Sequence, residues 1–152
     1  MLTAILLASG LTTTINDTHW QKTENIDGFT NLHTTEIIAK SHNGQFSLSC
    51  HNKQLKMMVT NTNHDDNFKN VSFGKVDKNP GVELVGINSQ QGLTAHRSSH
   101  WTNWAGLLRQ MTKGSVVRFR LLDGNNKPVV LTFNLLKGKA AIKQTLKNCN
   151  FN

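Results

Sequence analysis

Two neighbouring segments in which every second residue is apolar place the strongest constraint on the fold. Apolar side chains occupy alternate positions in "QFSLSC" (45–50) and again in "QLKMMVT" (54–60). A period of two predicts β-strands with one buried face. The short connection "HNK" between them favours an antiparallel hairpin. Cys50 then points inward, on the same face as Phe46 and Leu48.

Similar but shorter patterns predict further strands. These are "EIIAK" (36–40), "VSFGKV" (71–76), "VELVGIN" (82–88), "GLTAHR" (92–97), "SVVRFRLL" (115–122) and "KPVVLTFNLL" (127–136). The last two are joined by "DGNN", which is a hairpin turn signal. Two polar stretches, "HWQKTENIDGFTN" (19–31) and "NTNHDDNFKN" (61–70), are predicted to be a turn-rich segment anchored by Trp20 and a loop.

Two segments have helical rather than strand periodicity. Trp104, Leu107, Leu108 and Met111 follow the spacing i, i+3, i+4 and i+7, which predicts a helix of about ten residues, with Gly114 as its stop. In "GKAAIKQTLKNC" (138–149), apolar positions at spacings of four and three place Cys149 on the helix face that meets the sheet. The fold prediction is mainly β: an antiparallel β-sandwich with one short helix before the last hairpin and a C-terminal helix, forming a single domain over 11–152.

Cys50 and Cys149 are the chain's two cysteines, and both face inward by independent pattern arguments. That geometry permits a disulfide, which would close a loop of about 100 residues and would place the protein in an oxidising compartment. Two free, buried cysteines are the alternative.

The first ten residues predict export. "MLTAILLASGL" is apolar and uncharged, and Ala8 and Gly10 form a small-x-small pattern that is typical of a signal-peptide cleavage site after residue 10. The basic residues that usually precede such a segment are missing, so a first core strand or helix is the alternative. The expected location is periplasmic or secreted, with no membrane span.

The chain of 152 residues carries a formal net charge of +8, from 17 Lys and Arg against 9 Asp and Glu. Such a charge favours anionic partners. It also serves plain solubility, since the lysines are scattered and form no run of five. We expect another envelope protein as the partner, and the positive charge favours an acidic one. Nucleic acid is not expected, because the basic residues are not clustered and the N-terminus predicts export.

No enzyme site is predicted. Cys50 and His51 are neighbours on a strand, so their side chains point to opposite faces. His64, Asp65 and Asp66 are metal-type ligands without the spacing of a calcium loop, and no metal or cofactor is expected. The segment "HRSSH" (96–100) has hydroxyl and imidazole groups but no acid nearby to complete a triad.

A binding surface is predicted instead. Arg97, His100 and Trp101 combine cationic and aromatic groups of the kind that suit an interface. Arg118 and Arg120 project from one face of a strand and could bind phosphate or carboxylate as a pair. A solvated sheet face is the alternative for this pair.

The ordered set of motifs from Gln45 to Cys149 resembles the type VI secretion-associated periplasmic proteins of the VasI/TagO-like family. The matching positions are Leu48 and Cys50, the segment 71–77, and then Phe133, Leu135, Gly138, Ala141, Ile142 and Cys149. The resemblance implies an exported β-sandwich with a disulfide and without known catalytic residues.

These observations predict a non-enzymatic envelope protein with a binding or accessory role, which the resemblance links to type VI secretion. The alternative is a periplasmic inhibitor or immunity-type protein that caps an acidic partner enzyme. A hydrolase that uses Ser99 and His100, and a nucleic-acid-binding protein, are two further hypotheses.

Overall fold

Ten antiparallel strands and two helices make up the part of the chain that the computed structural model describes, which is residues 18–62, 68–69, 71–89, 92–96 and 101–151. In chain order they are β1 His19–Ile26, β2 His33–Lys40, β3 Gly44–His51, β4 Gln54–Asn61, β5 Val71–Val76, β6 Val82–Val85, β7 Ile87–Ser89, β8 Gly92–His96, α1 Trp101–Met111, β9 Val116–Leu122, β10 Pro128–Asn134 and α2 Lys139–Asn148.

The strands form two antiparallel sheets. One has the strand order β1-β2-β3-β4-β8-β7, and the other has the order β10-β9-β5-β6. The fold prediction is therefore confirmed: the protein is a mainly β, sandwich-like structure with a short helix before the last hairpin and a C-terminal helix. The predicted signal segment, 1–10, lies outside the described residues.

Aromatic side chains join the two sheets. Phe46 of β3 stacks on Phe119 of β9 with 6.0 Å between ring centroids, and Phe133 of β10 lies 6.2 Å from Phe46. All three are fully buried. The alternation along β3, β9 and β10 thus records which face of each strand meets the other sheet.

The two helices pack against different strands. Within α1, Leu107 packs on Gly74 of β5, and the indole Nε1 of Trp104 donates a hydrogen bond of 3.0 Å to the carbonyl of Val85. The helix α2 packs against β2 and β3 and buries Ile142 and Leu146. No helix of the described residues is long and apolar enough to cross a membrane.

The prediction for residues 19–31 was wrong over most of its length, because His19–Ile26 form the edge strand β1. Every residue of β1 pairs in register with β2, from His19 opposite Lys40 to Ile26 opposite His33. Only Trp20 is half-buried, and the other seven residues are exposed. With neither face covered, this strand has no alternation for sequence analysis to detect. Trp20 is an anchor, as predicted.

The segment 82–88 is two strands and not one. β6 pairs with β5 in the four-stranded sheet, while β7 pairs with β8 in the other sheet. The chain therefore crosses from one sheet to the other at Gly86. The strand predicted at 36–40 is longer in the structure and begins at His33. Phe68, within the predicted loop 61–70, is buried and bridges to Asp123.

Both predicted hairpins are confirmed, and their turns use left-handed residues. Asn52 and Lys53, between β3 and β4, have φ values of 48° and 60°, which is the pattern of a type I′ turn. In the β9–β10 turn the left-handed residue is Asn126, with φ of 62°. Asp123 stabilises that turn by accepting hydrogen bonds from the backbone N–H groups of Asn125 and Lys127.

Candidate functional site

The disulfide joins an inner strand of the six-stranded sheet to the end of the C-terminal helix. Cys50 on β3 and Cys149 at the end of α2 are bonded, with Cα atoms 5.7 Å apart and a sequence separation of 99. Both are buried, at 4% and 5% exposure. The predicted disulfide is therefore confirmed. It indicates an extracytoplasmic protein, because such bonds persist in oxidising compartments.

His51 is directed away from Cys50. His51 is exposed, and its Nδ1 lies 2.8 Å from Oγ1 of Thr34 on the neighbouring strand. The sulfur of Cys50 is meanwhile held in the disulfide beneath the sheet. Strand alternation thus separates the two side chains, as the sequence predicted, and this pair offers no thiolate nucleophile.

The two predicted arginines lie on the outer face of the four-stranded sheet. Arg118 and Arg120 alternate with the buried Val117 and Phe119 along β9, and both arginines are exposed. Their register places Lys75 of β5 directly opposite Arg118. Cations directly opposite each other on adjacent strands repel. This face therefore concentrates positive charge although that arrangement costs stability.

An aromatic ring holds one of these arginines. The guanidinium carbon of Arg120 lies 4.7 Å from the ring centroid of Phe73, its cross-strand partner. Such a contact is attractive. It already restricts the long side chain, so less conformational entropy is lost when the arginine binds a carboxylate. Glu83 is the cross-strand partner of Phe73 on the other side, so the face is cationic with one acid at its border.

The structure does not show the other residues of the predicted binding surface on this face. Arg97 and His100 lie outside the described residues, as do Ser98, Ser99 and the "HDD" segment 64–66. Trp101 begins α1. Among the described residues, no three His, Cys, Asp or Glu side chains lie close enough together to hold a metal ion.

A second cationic surface, which the sequence analysis missed, is a groove of about 630 Å³ between the C-terminal end of α1 and the outer side of α2. Arg109 and Lys113 line it from the side of α1, and Lys143 and Lys147 line it from α2. All four side chains are exposed. None of the described residues that line this groove is acidic.

The floor of the groove is apolar because of how α2 ends. Asn150 adopts a left-handed conformation with φ of 53°, and its N–H bonds to the carbonyl of Lys147. The N–H of Phe151 bonds to the carbonyl of Leu146. This is a Schellman motif, which brings the residue after the left-handed one against the last turn of the helix. Phe151 and Leu146 therefore both line the groove.

A signal for the groove was present in the sequence. Lys139, Lys143 and Lys147 recur every four residues in the segment that was predicted to be helical. That spacing puts them in one row along the helix. A search for runs of adjacent lysines does not find a row of this kind, because its members are separated by three residues.

No protein-family model, curated protein or solved structure matches this chain. The resemblance to the VasI/TagO-like family accordingly stays a prediction from the quoted motifs.

Proposed function

We propose that this chain is a non-enzymatic envelope protein, periplasmic or secreted, that binds an acidic partner protein. The observation that carries the proposal is the concentration of Lys75, Arg118 and Arg120 on one exposed sheet face. The backbone pairing of β5 with β9 holds these three positions in a fixed register. Complementary charge speeds association with an acidic face and selects against other partners.

The test is capture of the partner from envelope extracts of the native host by mild crosslinking, using the oxidised protein as bait. The double variant Arg118→Glu/Arg120→Glu reverses the two central charges. The control is Lys40→Glu/Lys56→Glu, which makes the same change of net charge at exposed positions of the other sheet. We expect the arginine variant to lose the partner and the lysine variant to keep it.

Equal capture by both double variants would contradict the proposed face, and the absence of any captured protein would contradict the proposed role. A role in type VI secretion is the more specific form of this proposal, and it is supported by the motif resemblance from Gln45 to Cys149. It predicts that the captured partner is a component of that apparatus.

The inhibitor or immunity-type role is the second candidate. The exposed arginine pair favours it, because two guanidinium groups on a rigid strand can occupy the acidic cleft of an enzyme bidentately. If the captured partner is an envelope hydrolase, its activity should fall on titration with the wild-type protein and should not fall with Arg118→Glu/Arg120→Glu.

A further inference from the structure

We infer that the groove between α1 and α2 binds an acidic peptide segment in which carboxylates flank an apolar side chain. The inference rests on the proposed function for the nature of the partner, an acidic protein, and adds the site and the motif that the partner presents. Three properties of the groove carry it: its cationic rims, its apolar floor and its concave shape.

Each rim carries two cations. Arg109 of α1 and Lys113, just beyond that helix, lie on one side, and Lys143 and Lys147 of α2 lie on the other. In an extended peptide, side chains two positions apart point to the same face and are separated by about 7 Å. Carboxylates two positions before and after a central apolar residue therefore face the groove together with that residue and can meet cations of the rims.

The spacing of the lysines on α2 lowers the stability of the helix. Lysines four residues apart on a helix repel each other, and α2 carries three in one row. Lys147, in the last turn, gains from the negative end of the helix dipole, but Lys143 and Lys139 lie too far from that end to gain. Solubility alone does not require the lysines of α2 to lie in a row beside a groove.

The floor favours contact with an apolar group. Leu146 is 5% exposed and Phe151 is half-buried, and the guanidinium of Arg109 lies 5.0 Å from the ring centroid of Phe151. A simple anion such as phosphate would leave this floor in contact with water. A leucine or phenylalanine side chain would cover the floor, while carboxylates two positions before and after it, on the same face of the extended peptide, would meet the rims.

The concave shape distinguishes a peptide from a membrane surface. A volume of about 630 Å³ between two helices accepts an inserted side chain. A flat bilayer surface would meet the tips of the lysines and would leave the floor unfilled. We therefore assign the groove to a peptide, and anionic vesicles become a competing outcome of the test.

The test measures binding of the fluorescently labelled, end-capped peptide Glu-Glu-Leu-Glu-Glu to the oxidised, full chain by fluorescence anisotropy at low salt. Two control peptides replace all four Glu by Gln, or Leu by Ser. We expect the first peptide to bind, both controls to bind about tenfold more weakly or not at all, and added salt to weaken binding.

Protein variants locate the site. Lys143→Glu and Lys147→Glu should each weaken binding about tenfold. Lys127→Glu is the matched control, because it is an exposed lysine with the same charge change at the opposite end of β10 from α2, and it should leave affinity within about twofold. Phe151→Ala should weaken binding, while Phe151→Leu should retain it.

Two results would overturn the inference. One is equal affinity for wild type, Lys143→Glu and Lys147→Glu. The other is sedimentation with phosphatidylglycerol vesicles that these two variants abolish, together with no binding of the peptide. The variant Arg118→Glu/Arg120→Glu leaves the groove residues unchanged, so the two proposals can fail separately. If the wild type captures a partner that this variant loses, but the wild type does not bind the peptide, only the proposal for the groove is contradicted.

Discussion

At the scale of single residues, the contact between Trp20 and Gly138 ties the edge strand to the start of α2. The indole Nε1 donates a hydrogen bond of 2.8 Å to the carbonyl of Asn134, and the ring lies directly over Gly138. A Cβ at position 138 would lie 2.2 Å from Cε2 of Trp20. Glycine is needed here for the close approach of an aromatic ring, since its φ of −109° is open to any residue.

Two glycine substitutions should therefore have opposite effects. Gly138→Ala should lower the free energy of unfolding by about 1–3 kcal/mol, because the methyl group overpacks the indole. Gly106→Ala, in the middle of α1 with nothing within 4 Å of the added Cβ, should raise it by about 0.5–1 kcal/mol through helix propensity. Urea denaturation followed by Trp fluorescence measures both, and a loss of stability in Gly106→Ala would contradict the packing of α1.

At the scale of elements, hairpins set the register of both sheets, and one of them contains an unfavourable residue. The type I′ turn between β3 and β4 requires positive φ at both central positions. Asn52 tolerates that conformation, whereas Lys53, at φ of 60°, has a Cβ that opposes it.

Lys53→Gly should stabilise the protein by about 1 kcal/mol, because glycine adopts this conformation without the steric cost. Lys53→Ala removes the same charge and keeps the Cβ, so it should give no comparable gain. The midpoints of urea denaturation of the two variants provide the comparison. Equal midpoints would show that any gain in stability comes from removing the charge of Lys53.

The β1–β2 hairpin ends in a turn that depends on a carboxylate. Oδ1 of Asp27 accepts hydrogen bonds from the N–H groups of Phe29, at 2.7 Å, and Thr30, at 3.2 Å. These bonds lower the pKa of Asp27 below its usual value. Glu24, in the same hairpin, also has a lowered pKa, because Lys22 hydrogen-bonds to it and attracts its charge.

The order of this turn should therefore depend on pH. Because the pKa of Asp27 is lower in the folded turn than in an unfolded chain, its stabilising contribution is complete above the unfolded pKa and is lost as pH falls through the folded value. The amide chemical shifts of Phe29 and Thr30 should titrate with a midpoint below that of a free Asp-Gly-Phe-Thr-Asn peptide.

Asp27→Asn keeps a side-chain acceptor that does not titrate, so it should remove this transition while the titration of Glu24 persists. A midpoint equal to that of the free peptide would contradict the charge-stabilised turn.

At the scale of the whole molecule, the disulfide connects the six-stranded sheet to the last helix and so holds the groove in place. Cys149 lies one residue before Asn150, whose left-handed conformation positions Phe151. The bond that fastens α2 to β3 thus fixes the floor and the Lys143–Lys147 rim of the proposed peptide site relative to the six-stranded sheet.

Breaking this disulfide should destabilise the protein by roughly 4–5 kcal/mol, as expected for a closed loop of this length. Reduction of the wild type and the variant Cys50→Ala/Cys149→Ala should lower the denaturation midpoint similarly. Reduction keeps both side chains, so it separates the cross-link from the loss of buried sulfur. An unchanged midpoint after reduction would contradict a stabilising role.

The sequence by itself determined the central part of the sandwich. Alternation of apolar residues identified β3, β4, β9 and β10, and two independent periodicities placed Cys50 and Cys149 on inward faces. A pattern of burial on one face is written into neighbouring residues, so it can be read without knowing what covers that face. Arg118 and Arg120 were found for the same reason, as the outward half of an alternating strand.

Tertiary structure alone decided the features that depend on distant segments. β1 has almost no buried residue, and its strand conformation comes from pairing with β2. The division of 82–88 between two sheets depends on which partner strand lies beside each half. The groove needs α1 and α2 side by side and a Schellman motif that turns Phe151 onto Leu146. Local periodicity records which face of an element is buried, whereas the partner that buries it, and the spaces left between partners, are set only when the chain is packed.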